Sequence, residues 1–313
     1  MPKQTSYSLK LDKNQQQKLL THLRQGNYEP RELAYTQIAV SAPKCQIALY
    51  NSGKCVVQGK EAEDWVQFVL EPKVLQEVIT GYDEVFNPEA REQHMGVDES
   101  GKGDFFGPLV ISSAYVDSDI VKELKKLGVR DSKNISSDFK ISTMARELRK
   151  LLEGKFAIIT IGPAAYNRLY KTMGNVNKIL AWGHARAIEN LLEKVPGCPK
   201  AIADQFGPER QIKAALMKNG RSIELIQRTK AESDPAVAAA SILARAQFLY
   251  SLNSIQKKYD HPIFKGASAK VRESAVALVK KEGPTVLNEV AKCHFKTSDQ
   301  VLAAAGFSRS DLN

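Results

Sequence analysis

Cysteine is scarce in this chain, and what there is has no pattern. Four cysteines in 313 residues (Cys45, Cys55, Cys198, Cys293) form no Cys-x-x-Cys pair. Zinc sites and disulfide frameworks therefore lack ligands at the spacing they need. Free thiols in a reducing compartment are the expectation, and with them a cytoplasmic protein. The five histidines (His22, His94, His184, His261, His294) are scattered and offer no convincing Ser-His-Asp or Cys-His set. No apolar run approaches the ~20 residues of a membrane span. The N-terminal Met1–Ser6 lacks the apolar core of a signal peptide. No membrane partner is expected, and a monomer is the default.

What the chain does have is positive charge. The formal net charge is +10 and the pI about 9.3, which suits a polyanionic partner without specifying a fold. The charge is uneven: residues 1–54 carry +5, residues 55–90 carry −6, and residues 91–313 carry +11. The apolar share of 43% is enough for a sizeable core.

The N-terminal 77 residues read as a β-α-β-β-β-α unit. Ser6–Leu11 alternates like a strand, and Lys13–Arg24 places Leu19, Leu20 and Leu23 on one helix face. Tyr35–Ala42, Cys45–Tyr50 and Lys54–Gln58 read as strands, the last two joined by the turn Asn51-Ser52-Gly53. Glu61–Leu75 reads as a helix that Pro72 should kink or end. Residues 78–92 lose periodicity, turn acidic and read as a linker. From residue 93 to 313 strands alternate with helices. His94–Asp98, Leu109–Val116, Phe156–Ile161, Lys200–Asp204 and Ser222–Arg228 are the strands. Phe139–Leu152, Ala164–Val195, Glu209–Asn219 and Pro235–Lys258 are helical, followed by helical Ala267–Lys281 and Thr285–Ala304. The fold class is α/β, a single mixed-sheet layer, with a small α+β domain before it. Leu152, Leu180, Trp182, Leu191 and the Ala238–Leu243 stripe are assigned to the core.

The informative stretch is His94-Met95-Gly96-Val97-Asp98-Glu99-Ser100-Gly101-Lys102-Gly103-Asp104-Phe105-Phe106-Gly107-Pro108. Two carboxylates end an apolar strand and run into a loop with three glycines. Carboxylates are hard oxygen ligands suited to Mg²⁺ or Mn²⁺, and glycine lets a backbone approach a bulky anion. Asp204 ends another apolar strand, and Glu232 and Asp234 follow a third. Acids gathered at one sheet edge repel each other, which favours a cation among them. Asp234 alone equally suits the N-cap of a helix beginning at Pro235. Adjacent strand residues point to opposite faces, so Asp98 and Glu99 share a metal only if the strand ends or kinks, for which Ser100-Gly101 offers a place. The loop is not a nucleotide-hydrolase phosphate loop, because Gly103 follows Lys102 where Ser or Thr is required.

As a set, these residues resemble the signature of type 2 ribonucleases H. Gly96 through Pro108 matches its first motif. Asp131-Ser132-Lys133, Ala203-Asp204-Gln205-Phe206, Lys230-Ala231-Glu232-Ser233 with Val237–Arg245, and Lys292–Thr297 match later ones in order. Gly-Lys-Gly and the N-terminal extension resemble the ribonuclease HIII branch. The resemblance implies a ribonuclease H-like mixed-sheet core. It also implies an N-terminal domain resembling the TATA-binding protein fold, which grips an RNA/DNA hybrid through Ile38–Pro43, Tyr50–Lys54, Val56, Gln58 and Gly59. It assigns metal binding to Asp98, Glu99 and Asp204. The fourth acid is Asp234 or Glu232, with Asp234 slightly favoured. It implies hydrolysis of the RNA strand by metal-activated water, with two Mg²⁺ or Mn²⁺ ions, leaving 5′-phosphate and 3′-hydroxyl ends.

Readout of the 2′-hydroxyl falls to the backbone of Ser100, Gly101, Lys102 and Gly103, unless Lys102 pairs with a phosphate. Lys133, Asn175, Asn177 and Lys230 are further candidates for substrate contact. Two other readings remain. One is a ribonuclease HII-like enzyme cutting at single ribonucleotides, against which stands the absence of tyrosine between Asp260 and Asn313. The other is a non-catalytic nucleic-acid-binding protein.

Overall fold

The computed structural model describes residues 6–76, 92–129, 135, 137–216, 220–229 and 231–312. The chain divides into two compact units, Met1–Glu89 and Ala90–Asn313. The segment expected as a linker lies outside the described residues except for Glu92.

In the first unit β1 (Ser6–Lys10), β2 (Glu29–Pro30), β3 (Thr36–Ala42), β4 (Cys45–Tyr50) and β5 (Lys54–Gly59) form one sheet in the order β1-β5-β4-β3-β2. All of its pairings are antiparallel. The short edge strand β2 has too little alternation to read from sequence. Helix α1 (Lys13–Gln25) starts from a reciprocal cap in which Asp12 accepts from Gln15 N while the Gln15 side chain accepts from Asp12 N. That arrangement satisfies two orphan donors of the helix start. Leu19, Leu20 and Leu23 of α1 are buried with Ile47, Leu49, Cys55 and Val57 of the sheet. The second helix, α2 (Ala62–Trp65), continues past Trp65 as a wider π-helix over Val66–Leu75 with Pro72 inside it. The expected early stop does not occur, because the wider winding leaves room where an α-helix would press the proline ring against the preceding turn.

The second unit holds a five-stranded sheet. Its strands are β6 (His94–Ser100), β7 (Leu109–Val116), β8 (Phe156–Ile161), β9 (Lys200–Asp204) and β10 (Glu224–Arg228), in the order β10-β9-β6-β7-β8. Strands β10, β9 and β6 run parallel, while β7 and β8 pair antiparallel beyond β6. The helices are α3 (Ser118–Lys126), α4 (Asp138–Leu151), α5 (Pro163–Met173), α6 (Val176–Leu192), α7 (Glu209–Ala215), α8 (Pro235–Tyr259), α9 (Ala269–Glu282), α10 (Leu287–Val290) and α11 (Lys296–Ala305). The helix expected over Ala164–Val195 is two. Gly174, at φ +64°, ends α5, and the Asn175 side chain accepts from Asn177 N to start α6. The helix expected over Thr285–Ala304 is also divided, because Ala291 leaves the helix to pair with Phe106.

Helix α8 lies directly on β6. His94, Gly96 and Asp98 share one face of the strand by its period of two, and they meet Asp234, Val237 and Ser241 in turn. A Cβ at Gly96 would come within 2.1 Å of Val237 N and 2.2 Å of the Ala236 carbonyl carbon. The run Ala236–Ala240 presents only small side chains there, and all of it is buried. Helix α6 covers the opposite face, with Ile179, Leu180, Ala187, Ile188 and Leu191 in the main core. Trp182, expected in that core, is 37% exposed on the outer side of α6. All four cysteines are free and buried. Burial pushes Cys55 up to about 12, and Cys45, Cys198 and Cys293 up to about 11, so they are inert thiols rather than nucleophiles. Among the described residues, no helix is long and apolar enough to cross a membrane.

Gly96→Ala should destabilise the fold by at least ~2 kcal/mol, because backbone rather than a mobile side chain fills the space. A thermal melt close to wild type would contradict this packing. Asp138 tests electrostatics. Burial works against its ionisation, but hydrogen bonds and charge from Lys265 (2.7 Å) and Arg245 (3.3 Å) outweigh it and hold its carboxyl below the usual range. A carboxyl lowered on folding contributes stability above its unfolded pKa of ~3.9 and loses it as pH falls through the folded value. The gap in melting temperature between wild type and Asp138→Asn should thus be present at pH 6 and shrink below about pH 4.

Candidate active site at the end of the central strand

The parallel strands β10, β9 and β6 end at the same sheet edge, where the neighbour of β6 changes from parallel β9 to antiparallel β7. Such a switch in an α/β sheet opens a crevice beyond the strand ends. The pairing of β6 with β9 runs from Met95↔Ala201 to Val97↔Ala203. One step further, Asp98 and Asp204 stand side by side on neighbouring strands and on the same face. Asp204 accepts from Ala231 N at 3.4 Å, which draws the short turn Ala231–Ser233, and Glu232 within it, to this edge.

Asp98 and Glu99 do not share a face. β6 remains regular through Ser100, which pairs with Val110, so the kink expected at Ser100-Gly101 does not come between the acids. Asp98 turns toward α8, where it accepts from the Ser241 hydroxyl. Glu99 turns toward α6, with Oε2 3.1 Å from Nε2 of the fully buried His184. Lys102 Nζ stands 3.7 Å from Glu99 Oε1 and 5.7 Å above the Phe206 ring. The two carboxylates flank the strand from opposite sides, at an edge that β9 no longer covers.

Their electrostatics diverge. Burial first, and the Glu99 charge second, push Asp98 up to about 7. Burial also opposes ionisation of Glu99, but the His184 hydrogen bond and the Lys102 charge outweigh it and hold that carboxyl below the usual range. Two half-buried carboxylates in conflict are an arrangement that a divalent cation relieves. Among the described residues, no three Asp, Glu, His or Cys side chains form a ready cage. Mg²⁺ is held by one or two carboxylates, with waters and substrate phosphate completing the shell. The hard-oxygen donor set therefore fits Mg²⁺ or Mn²⁺.

The preference for Asp234 over Glu232 is reversed. Asp234 is 2% exposed, and both its oxygens lie 3.0 Å from His94 Nε2. Its Oδ1 also accepts from Ala236 N at 2.9 Å and Val237 N at 3.2 Å. Its seven-residue separation from Ser241, the partner of Asp98, puts it about 10 Å back along α8. It is a helix cap tied to the beginning of β6, away from the acidic edge.

Gly101 is buried at φ +90°, while Lys102 and Gly103 are exposed, and no atom lies within 4 Å of the place a Cβ at Gly103 would take. Ser100 is half-buried at the end of β6. Asn177 lies against Gly207, in the loop after Asp204, whereas the Asn175 side chain is occupied in capping α6. Lys133 and Lys230 lie outside the described residues. Sequence reasoning missed His184. Its signal was available only in part, since a histidine amid the apolar residues of a helix does not reveal that its face meets Glu99.

A mixed sheet with acids at its switch edge and a bare glycine loop beside them defines a metal-dependent nuclease of the ribonuclease H class. The family profile described as Ribonuclease HII matches residues 95–298, and a domain of unknown function, DUF3378, matches residues 7–82. Ribonuclease HIII of Protochlamydia amoebophila is 40% identical over 296 residues, covering 95% of this chain and 96% of the relative. Ribonuclease HIII of Chlamydia trachomatis serovar L2 is 43% identical, covering 84% and 86%. The crystal structure of Bst-RNase HIII in complex with Mn²⁺ superimposes with a TM-score of 0.65 at 28% identity, covering 96% of this chain and 99% of that one. The chain belongs to the ribonuclease HIII family.

Asp234→Asn should lower stability by ~2 kcal/mol or more, since it unbalances a buried pair and a helix cap together. The folded protein should keep its nuclease activity. Loss of turnover without loss of stability would restore Asp234 to the active site.

Proposed function

We propose that this enzyme hydrolyses the RNA strand of RNA/DNA hybrids within the strand, leaving 5′-phosphate and 3′-hydroxyl ends. The observation that carries the reading is the side-by-side placement of Asp98 and Asp204, with Glu99 on the same uncovered edge. Asp98, Glu99 and Asp204 hold the cations, and Glu232 is the fourth acid. Bound Mg²⁺ or Mn²⁺ supplies an activated water and neutralises charge on the leaving oxygen. Ser241 orients the Asp98 carboxylate, and His184 orients that of Glu99. Holding ligands in this way is worth ~10–100-fold in metal affinity or activity at comparable sites.

Strand choice requires contact with the 2′-hydroxyl. The exposed Lys102–Gly103 backbone, one step past the acids, supports that role, because open space where a side chain would stand leaves room for a sugar. The first unit adds grip. Ser6, Ser8 and Lys10 of β1 and Lys54, Val56 and Gln58 of β5 line the sheet face opposite the two helices, a polar surface suited to a nucleic-acid backbone. The proposal includes a monomer acting in the cytoplasm, with which four free thiols are consistent.

The deciding experiment offers a labelled RNA/DNA hybrid, a DNA duplex with one ribonucleotide, and plain DNA, in Mg²⁺ and in Mn²⁺. Cleavage of the hybrid, lost in Asp98→Asn, is expected. Preferential cutting at the single ribonucleotide would transfer the assignment to junction repair, and no cutting would leave a binding protein. Gly103→Ala should melt like wild type yet cleave the hybrid about tenfold more slowly or worse. Unchanged turnover in that variant would remove the loop from substrate reading. Glu232→Gln should fold and lose cleavage.

A further inference from the structure

The turn Asp104–Pro108 joins the Gly101–Gly103 loop to β7, and it is stitched from two sides. Gly266 N donates to Asp104 Oδ1 at 2.6 Å, and Phe105 N donates to Gly266 O at 2.9 Å. From the other side, Gly107 N donates to Val290 O at 2.8 Å, Lys292 N donates to Phe105 O at 2.9 Å, and Phe106 pairs with Ala291. Lys292 then points inward. It is fully buried, and its Nζ donates to the carbonyl oxygens of Gly107 at 2.6 Å and of Phe106 and Pro108 at 3.3 Å each.

An ammonium has three N–H donors, and here three carbonyls converge on them. Burial works against the charge and draws the lysine down to about 7, while Asp104 and the carbonyls favour the charged form. Nothing in hydrolysis by the acidic edge uses this group. Its connection to that edge runs through one carbonyl. The Pro108 oxygen that Lys292 holds is the atom a Cβ on Gly101 would meet at 2.3 Å, so it forms the floor on which Gly101 rests at φ +90°. Asp104 N closes the same loop by donating to Gly101 O at 3.3 Å.

We propose that Lys292 is a positioning residue for cleavage: by gathering the Phe106–Pro108 carbonyls it holds the Gly101–Gly103 backbone in register with Asp98 and Glu99. The role rests on the hybrid-cleavage reading. Because the phosphate grip lies elsewhere, the loss on removing Lys292 belongs to the chemical step and not to affinity.

The test compares full-length wild type, Lys292→Met and, as a control for general destabilisation, Val279→Ala. Val279 is an apolar residue of α9 buried in the same C-terminal cluster as Phe105 and Phe106. Hybrid binding is measured in EDTA, single-turnover cleavage in Mg²⁺, and amide exchange over residues 101–108 in both buffers. Lys292→Met should bind hybrid within about twofold of wild type and cleave at least about tenfold more slowly. Its exchange should be faster across that loop. Val279→Ala should keep its cleavage rate even where its melting temperature falls as far. Equal rates for Lys292→Met and wild type, or equal loss in Val279→Ala, would overturn the proposal.

Should Lys292→Met fail to fold, Asn167→Ala decides the matter. The Asn167 side chain holds Ala291 O at 3.0 Å and Cys293 N at 2.9 Å on either side of Lys292, so its loss loosens the clamp while keeping the ammonium. Slower cleavage at unchanged affinity supports the proposal, and a wild-type rate sinks it. If wild type itself cuts no hybrid, the cleavage reading fails. The exchange measurement then still shows whether Lys292 sets the loop.

Discussion

The catalytic unit depends on the backbone contact between a strand and a helix. At Gly96 the strand that carries Asp98 and Glu99 touches Val237 and Ala236 of α8 without an intervening side chain. That contact fixes how far along the helix each strand residue falls, so His94 meets Asp234 and Asp98 meets Ser241. The small side chains of Ala236–Ala240 serve the same purpose from the helix side. Close-packed interiors transmit displacements of this kind rather than absorbing them. A shift of helix against strand would separate Asp98 from its hydroxyl partner and unseat the Asp234 cap together.

Much of this was legible in the sequence because strands buried on two faces are short apolar runs, and those are distinctive. Leu109–Val116 and Lys200–Asp204, buried almost throughout, have the ends that pattern indicates, and the half-buried Phe156–Ile161 keeps its ends through its apolar run alone. The acids at their ends were legible for the same reason, since a charge that closes an apolar strand marks the rim of the sheet. The misreadings occurred where tertiary contacts decided between local options. Gly174-Asn175 can sit in a long helix or divide one, and here they cap two. Ala291–Phe295 has helical composition but pairs with the turn after the glycine loop. Asp234 and Glu232 are two residues apart in a motif, and only the position of His94 shows that Asp234 is held at the helix cap.

The acidic edge works through contrast rather than through a single strong group. Asp98 and Glu99 are neighbours in sequence and lie in one regular strand, yet alternation gives them different surroundings. One faces a neutral hydroxyl, and the other faces an imidazole and an ammonium. The result is one carboxyl that ionises reluctantly beside one that ionises readily. Such asymmetry arises from the period of the strand and from which helix covers which face, before any ligand arrives.

The four cysteines have a practical consequence. All are buried and all have raised pKa values, up to about 12 for Cys55, so at neutral pH none presents a reactive thiolate to a maleimide. The native chain therefore offers a silent background for spectroscopic labelling. One cysteine introduced on each unit would place a donor and an acceptor dye without removing any natural residue. The distance between the two units could then be followed in solution while nucleic acid is added.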